Sequence, residues 1–277
     1  MFKKLIGNKT FYKMLFVVAL PIMIQQGISS FVNLLDNLMV GRVGTEEMAG
    51  VAIVNQLLFV YNLCIFGCLA GPGIFSSQFH GAKDDEGVRS CFRYKLIITT
   101  VVVAIVFTLL LLFQEPLIRL FLHNVGEDVG DIEIAFHYSK EYLRIMFIGL
   151  FPFAVTQIYS TTLREAKDTF VPMVSSIIAI LTNLVLNYIL IFGHLGFEPL
   201  GVKGAAIATV VSRFVEMGIL LIYTHTHTHK YPFIKGIYRS WNLPFSLSKK
   251  ITAKGLPLFF NELLWSTGMT VLFKIYS

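Results

Sequence analysis

Residues 96–113 (LIITTVVVAIVFTLLLLF) and 170–192 (FVPMVSSIIAILTNLVLNYILIF) contain no charged side chain. Each approaches or exceeds the roughly 20 residues a helix needs to cross the hydrocarbon core of a bilayer. A backbone in lipid must satisfy its own hydrogen bonds, so the helix is the economical form for such runs. Further apolar stretches at 14–40, 48–79, 141–163, 204–224 and 255–273 bring the predicted spans to seven, in an all-α membrane protein. Composition agrees: a chain that is 55% hydrophobic and 14% charged, with mean hydropathy +0.68, is far more apolar than a soluble domain. Lys3, Lys4, Lys9 and Lys13 precede the first run, which is too long for a secretory signal and reads as a retained anchor.

Loop charge sets the expected orientation. Segment 225–254 carries Lys230, Lys235, Arg239, Lys249, Lys250 and Lys254 and no acid, whereas 114–137 carries Glu115, Glu127, Asp128, Asp131 and Glu133 against Arg119 alone. Lysine and arginine bias places the first of these in the cytoplasm, and the short basic links with Lys83, Arg89 and Arg93, then Arg164 and Lys167, fall on the same side. The expectation is a multi-pass protein of the plasma (inner) membrane with a cytoplasmic N-terminus. The net charge of +6 then reflects topology and attraction to membrane lipid, and no nucleic-acid partner is implied. Of the three cysteines, Cys64 and Cys68 share a helix and Cys91 falls in a short basic loop, a pattern of buried apolar thiols without metal or disulfide roles.

An internal repeat organises the chain. KMLFVVALPIMIQQGISS from Lys13 and KKITAKGLPLFFNELLWS from Lys249 align Pro21 with Pro257, Gln25 with Asn261 and Gln26 with Glu262. The seventh span therefore resembles the first, which predicts one lobe of a two-lobe transporter. The division is residues 1–224 as a six-helix transmembrane bundle, 225–254 as a basic cytoplasmic linker, and 255–277 as a truncated seventh helix opening an incomplete second lobe.

One face of the first span is polar. At about 100° per residue, Gln25, Ser29, Asn33 and Asp36 lie within roughly 80° of one another, and Ser176, Asn183 and Asn187 share a face of the fifth span. Amides and hydroxyls so placed can bridge helices or line a pathway. Asp36 is different, because helix bridging needs no carboxylate, and an acid within a span marks an ion or substrate path. Prolines 21, 72 and 152 are candidate kinks.

These motifs resemble the multidrug and toxic compound extrusion (MATE) transporters. NLLDNLMVGRVGTEEMAGVAI, from Asn33, is similar to that family's first-helix signature; SSQFHGAKD at Ser76, LREAKDTFVPM at Leu163 and GVKGAAIATVVSR at Gly201 resemble later turns and helices in order. The resemblance implies two six-helix bundles around a cleft and antiport of an organic cation or other amphipathic small molecule against a proton or sodium ion, with no covalent chemistry and no cofactor. It assigns ion coupling to Asp36, helped by Asn183 and Asn187, with Thr209 as a further oxygen ligand. Gln25, Ser29, Asn33 and, from the repeat-related position, Glu262 are the candidates for the substrate cavity. Relatives commonly carry an aspartate where Asn187 stands, and one carboxylate fewer favours proton over sodium, since hard cations are held by charged oxygens. A cleft further requires a second lobe or a second copy. The rival readings are a flippase for lipid-linked saccharides and a non-transporting membrane protein.

Arg213 and Glu216, three apart in the sixth span, are expected to pair on one face. His225, His227 and His229 alternate in THTHTHK, residues 224–230, where an extended loop would turn them to one side; no carboxylate or cysteine completes a metal site there. No glycine-rich phosphate loop, HExxH or GxSxG motif occurs, so nothing points to an enzyme.

Overall fold

The computed structural model describes residues 8–122, 131–239, 241 and 243–276. Lys3, Lys4, Glu127 and Asp128 of the orientation argument lie outside them. Seven helices follow in order: α1 (Lys9–Gly41), α2 (Thr45–Gly81), α3 (Asp85–Leu122), α4 (Ile132–Glu165), α5 (Phe170–Phe192), α6 (Gly201–Thr226) and α7 (Phe245–Tyr276), with a short 3-10 helix at Pro232–Ile234 before α7. Among the described residues six helices, α1 to α6, are long and apolar enough to cross a membrane. The seventh predicted span is helical as part of α7 but is not one of those six.

Local sequence explains the boundaries. Asp131 caps α4, its side chain accepting from the Glu133 and Ile134 N–H groups at 2.9 and 3.4 Å. Gly193 ends α5 in the left-handed region, at φ 75°, which glycine adopts without a Cβ penalty. Two hairpins use the same Ala-Lys-Asp turn. Ala82-Lys83-Asp84 joins α2 to α3 and Ala166-Lys167-Asp168 joins α4 to α5, with matching backbone bonds and the lysine at φ 60° and 64° respectively. In each turn the aspartate side chain accepts from an N–H at the start of the next helix, Gly87 at 2.9 Å and Val171 at 3.4 Å.

α2 is the central helix. It packs on α3, α4 and α7, while α4 and α5 each pack on α6, and α1 leans chiefly on α5. The core runs along α2 and α4 through Val54, Leu58, Tyr61, Ile65, Leu143, Met146 and Leu150, and the Tyr61 hydroxyl donates to the Leu150 carbonyl at 2.7 Å. Where α2 meets α7, a Cβ on Gly71 would come within 2.5 Å of the Gly255 Cα, so two glycines face each other and the backbones touch. α1 leaves Phe16, Val17, Met23, Phe31 and Leu38 exposed, as a lipid-facing or partner-facing helix would.

Three expectations need correction. α3 starts at Asp85, so Arg89, Cys91 and Arg93 are helical residues and not parts of a loop. Their charges are tolerated because they have partners: both arginines pair with Glu86, and they donate to carbonyls of the segment after α6. α3 also continues to Leu122 past a break at Phe113, where φ/ψ is −114°/15°; Pro116 three residues on cannot donate its N–H and crowds the preceding turn. By contrast α1, α2 and α4 run through Pro21, Pro72 and Pro152 as unbroken helices. Finally, the histidine run is not extended. α6 reaches Thr226, the His225 ring stacks parallel to Tyr238, and His227 stacks on Tyr223 with ring centres 4.2 Å apart.

α6 ends at Thr226 and α7 begins at Phe245, so both helices reach into the 225–254 segment expected as linker. It is packed and not loose: Tyr231, Phe233, Ile234 and Ile237 are buried. Asp168 accepts from Lys230 at 2.6 Å and from the Tyr231 hydroxyl at 2.5 Å. Arg89 Nε donates to the Phe233 carbonyl at 3.1 Å, and Arg93 Nε to the Ile237 carbonyl at 2.9 Å.

Beneath this strap lies an ion pair that periodicity does not reveal. Lys95, fully buried, donates to both oxygens of Glu165 at 2.7 Å and to Thr162 Oγ1 at 3.0 Å, tying α3 to α4. Removing one partner strands the other charge in a dry interior, at a cost of about 3–5 kcal/mol. Lys95→Met should thus lower thermal stability sharply in detergent, while Lys95→Met combined with Glu165→Leu should recover most of the loss; equal loss in both variants would contradict this account.

Candidate functional site

Asp36 lies five residues before the end of α1 and faces α5. Asn187 Nδ2 donates to Asp36 Oδ1 at 2.7 Å and lies 3.2 Å from Asn183 Oδ1. Asn183 and Asn187 are one turn apart, so both amides project from the same face of α5. Thr209 on α6 joins them, its Oγ1 lying 3.3 Å from Asn183 Nδ2 while it donates to the Ala205 carbonyl of its own helix. Three helices thus bring one carboxylate, two amides and a hydroxyl together.

The Asn183 amide fits in two orientations. Turned by 180°, its NH2 group sits 3.0 and 3.2 Å from the two Asp36 oxygens and its oxygen accepts from the Thr209 N–H at 3.3 Å. Oxygen and nitrogen of an amide are told apart by the hydrogen bonds around them, and here those bonds depend on Asp36. An ionised Asp36 requires donors and selects the turned form; a protonated Asp36 can itself donate to Asn183 Oδ1 in the other.

Next to this cluster a cavity of about 370 Å³ opens between α1, α2, α4, α5 and α6. Asn33, Asp36 and Asn37 line it from α1, Asn55 and Asn62 from α2, Tyr142 and Met146 from α4, Asn187 from α5, and Thr209 and Arg213 from α6. Among the described residues, two buried side-chain oxygens of residues that line it, Asn62 Oδ1 and Asn187 Oδ1, have no hydrogen-bond partner.

Of the residues singled out in the sequence, Asp36, Asn183, Asn187 and Thr209 converge, and Asn33 lines the same cavity. Gln25 does not: at the middle of α1, it accepts from Arg164 Nη2 at 3.0 Å. Ser29 is half-buried on α1 and outside the cavity wall. Glu262 packs from α7 against Gly67 of α2, away from this cluster. The expected Arg213–Glu216 pair is absent, with no ion pair between them among the described residues. Arg213 instead donates to the Gly149 carbonyl at 3.2 Å and lies over the Phe153 ring.

Asn37, Asn55, Asn62 and Tyr142 are site residues that the sequence reading passed over, and Arg213 is one that it gave a different partner. A signal existed for α2: Asn55 and Asn62 are seven apart, hence on one face. Tyr142 carried none, since a tyrosine in an apolar helix reads equally well as core.

A family model described as MatE matches residues 21–189, more than half of the chain and including α5 as far as Ile189, past Asn187. The chain belongs to the MatE family. Similar curated proteins include the probable multidrug resistance protein NorM of Thermotoga maritima, 29% identical over 95% of this chain and 54% of that protein. Another is the probable multidrug resistance protein YoeA of Bacillus subtilis, 27% identical over 89% and 52%. This MatE chain spans about half the length of the curated relatives it matches. Among solved structures, an inward-facing multidrug resistance MATE family transporter of the MOP superfamily aligns with TM-score 0.71 and 25% identity over 95% of this chain and 56% of that one. A MATE structure in the bent conformation aligns with TM-score 0.78 at 23% identity, over 94% and 55%, a likeness of fold. The architecture is that of a MATE transporter lobe, and the protein is a multi-pass membrane protein of a multidrug efflux transporter family.

Water access to the cavity is directly testable. A cysteine placed at Asn55 should react with a small water-soluble thiol reagent much faster than buried Cys68 and Cys91 do; equal rates would mean that the cavity is closed to solvent.

Proposed function

We propose that this chain supplies one half of a secondary antiporter that exports organic cations or other amphipathic solutes in exchange for protons, with sodium as the second candidate ion. The observation that carries the reading is the approach of Asn187, with Asn183 and Thr209 behind it, to the single carboxylate Asp36 at the edge of a cavity. The names of the relatives, multidrug resistance proteins, supply the substrate class. Because those relatives are about twice as long, a second lobe or a second copy completes the cleft in this reading. Residues 1–224 then form the lobe, the segment after α6 joins it to its neighbour, and α7 opens the second lobe.

The cycle needs two charge states and two conformations. With Asp36 ionised, its donors are drawn onto it and the cavity attracts a cationic solute. Protonation removes the attraction, reverses the preference of the Asn183 amide and loosens α1 from α5, so the solute leaves and the packing of the helices changes together. The ends of the helices support the expected orientation, with the N-terminus in the cytoplasm of a cell whose plasma membrane holds the protein. Lys83, Arg89, Arg93, Arg164 and Lys167 gather at the end of the bundle opposite Asp36; with that basic end in the cytoplasm, this reading has the carboxylate in the outward half, within reach of external protons.

Asp36→Asn should abolish gradient-driven export of a cationic dye while leaving the amount of folded protein in the membrane unchanged; full export by this variant would remove Asp36 from the mechanism. The neutral partner carries a second test. Asn187→Asp adds a charged oxygen to the cluster and should confer sodium-dependent stabilisation and transport that the unaltered protein lacks. Sodium-driven transport by the unaltered protein would assign the coupling to sodium.

A further inference from the structure

α3 and α7 both pack on α2, and an apolar groove of about 210 Å³ is left between them. It runs from Tyr94 to Ile105 along α3 and from Thr252 to Phe259 along α7, with Cys68 of α2 also lining it. Val101, Ile105 and Leu256 on its walls are 48%, 53% and 51% exposed, so the groove opens outward from the bundle. At one end the Tyr94 and Thr252 hydroxyls lie 2.8 Å apart, and Thr252 donates to the Ser248 carbonyl at 2.9 Å, which leaves neither hydroxyl proton free. Beyond that end the same face of α7 carries on. At about 100° per residue, Phe245, Lys249, Thr252, Leu256 and Phe259 lie within roughly 80° of one another. Lys249 and Phe245 are both exposed, Phe245 at 83%. Among the described residues Lys249 makes no ion pair, and no acid occurs in residues 225–261.

We infer that the groove between α3 and α7 holds an acyl chain of one anionic phospholipid, whose phosphate sits at Lys249 while Phe245 marks the level of the headgroups. Length fits this occupant. From Tyr94 to Ile105 a helix rises about 16 Å, half of the roughly 30 Å hydrocarbon core, so the groove is as long as the chain region of a single leaflet. Charge fits it too. Lys249 stands one turn beyond Thr252, past the polar end of the groove, where an unpaired lysine meets the phosphate and no acid competes for it. An aromatic ring and a lysine on one helix face are the anchors of a membrane interface. A drug-sized solute fits less well, because its pockets enclose about 300 Å³ or more and need placed polar groups, whereas this groove is smaller and its two hydroxyls are spent. With the basic end in the cytoplasm, as proposed above, the lipid belongs to the inner leaflet; its binding depends on neither that orientation nor the transport reading.

The test is native mass spectrometry of the full protein after reconstitution with equal amounts of phosphatidylglycerol and phosphatidylcholine of the same acyl chains and release into detergent. One lipid should be retained per chain, with phosphatidylglycerol favoured about fivefold, the worth of one lysine beside an anionic headgroup. Lys249→Gln should bring the two lipids level, and Lys249→Arg should keep the preference. Val101→Trp fills the groove from an exposed position and should remove both lipids alike; Leu256→Trp makes the same block from α7, so the result does not hang on one variant. Leu181→Trp, equally exposed on α5, should change nothing. Equal retention of both lipids by the unaltered protein, or a preference that survives Lys249→Gln, overturns the headgroup assignment and with it the inference. Retention untouched by both groove-filling tryptophans overturns the site, as does the absence of any retained lipid, the result expected if further protein covers the groove.

Discussion

A carboxylate inside an apolar wall has to be met by donors from another helix, and the rest of this lobe is arranged around that demand. α1 has little else to hold it: much of its apolar surface is exposed, and it leans chiefly on α5. Its polar ties are spread along its length: Asp36 to Asn187 near its C-terminal end, Gln25 to Arg164 at its middle, and the Val17 carbonyl, which accepts from Thr169, nearer its start. An element fastened mainly through polar contacts, one of which depends on a proton, is the element whose packing can change at small cost. α2 is the opposite case, surrounded by α3, α4 and α7 with its backbone in contact at Gly71, and it serves as the fixed reference for the others.

Helices of this kind are legible in sequence because lipid leaves the backbone no alternative. The charge-free run 170–192 matches α5 from end to end, bounded by a turn before it and Gly193 after it. α3 was under-read for the same reason in reverse. Charge was taken as the mark of a loop, but Arg89, Arg93 and Lys95 are kept within the helix by partners distant in sequence, Glu165 and the strap carbonyls, which no local pattern displays.

The site divides in the same way. Asp36, Asn183 and Asn187 were accessible through helical spacing and the rarity of an acid in a span. Arg213 was misread because spacing makes Glu216 a possible partner without making it the actual one; the Gly149 carbonyl and the Phe153 ring hold its guanidinium instead. Gln25 shares the helical face of Asp36 but lies more than two turns away along the axis, which was enough to give it a different neighbour. Angular coincidence puts residues on one side of a helix; it does not put them at one depth.

The strap between α6 and α7 is gripped in an unusual manner. Arg89 and Arg93 hold main-chain oxygens of Phe233, Gly236 and Ile237, and those oxygens are present whatever side chains the segment carries. Such a grip is indifferent to spelling and strict about count. Side chains at Lys235 or Gly236 can vary with little effect on the two arginines, whereas one residue inserted or deleted between Pro232 and Ile237 would slide the carbonyls out of step with two guanidiniums fixed one helical turn apart. The connection to the seventh helix behaves as a ruler, whose information lies in its length.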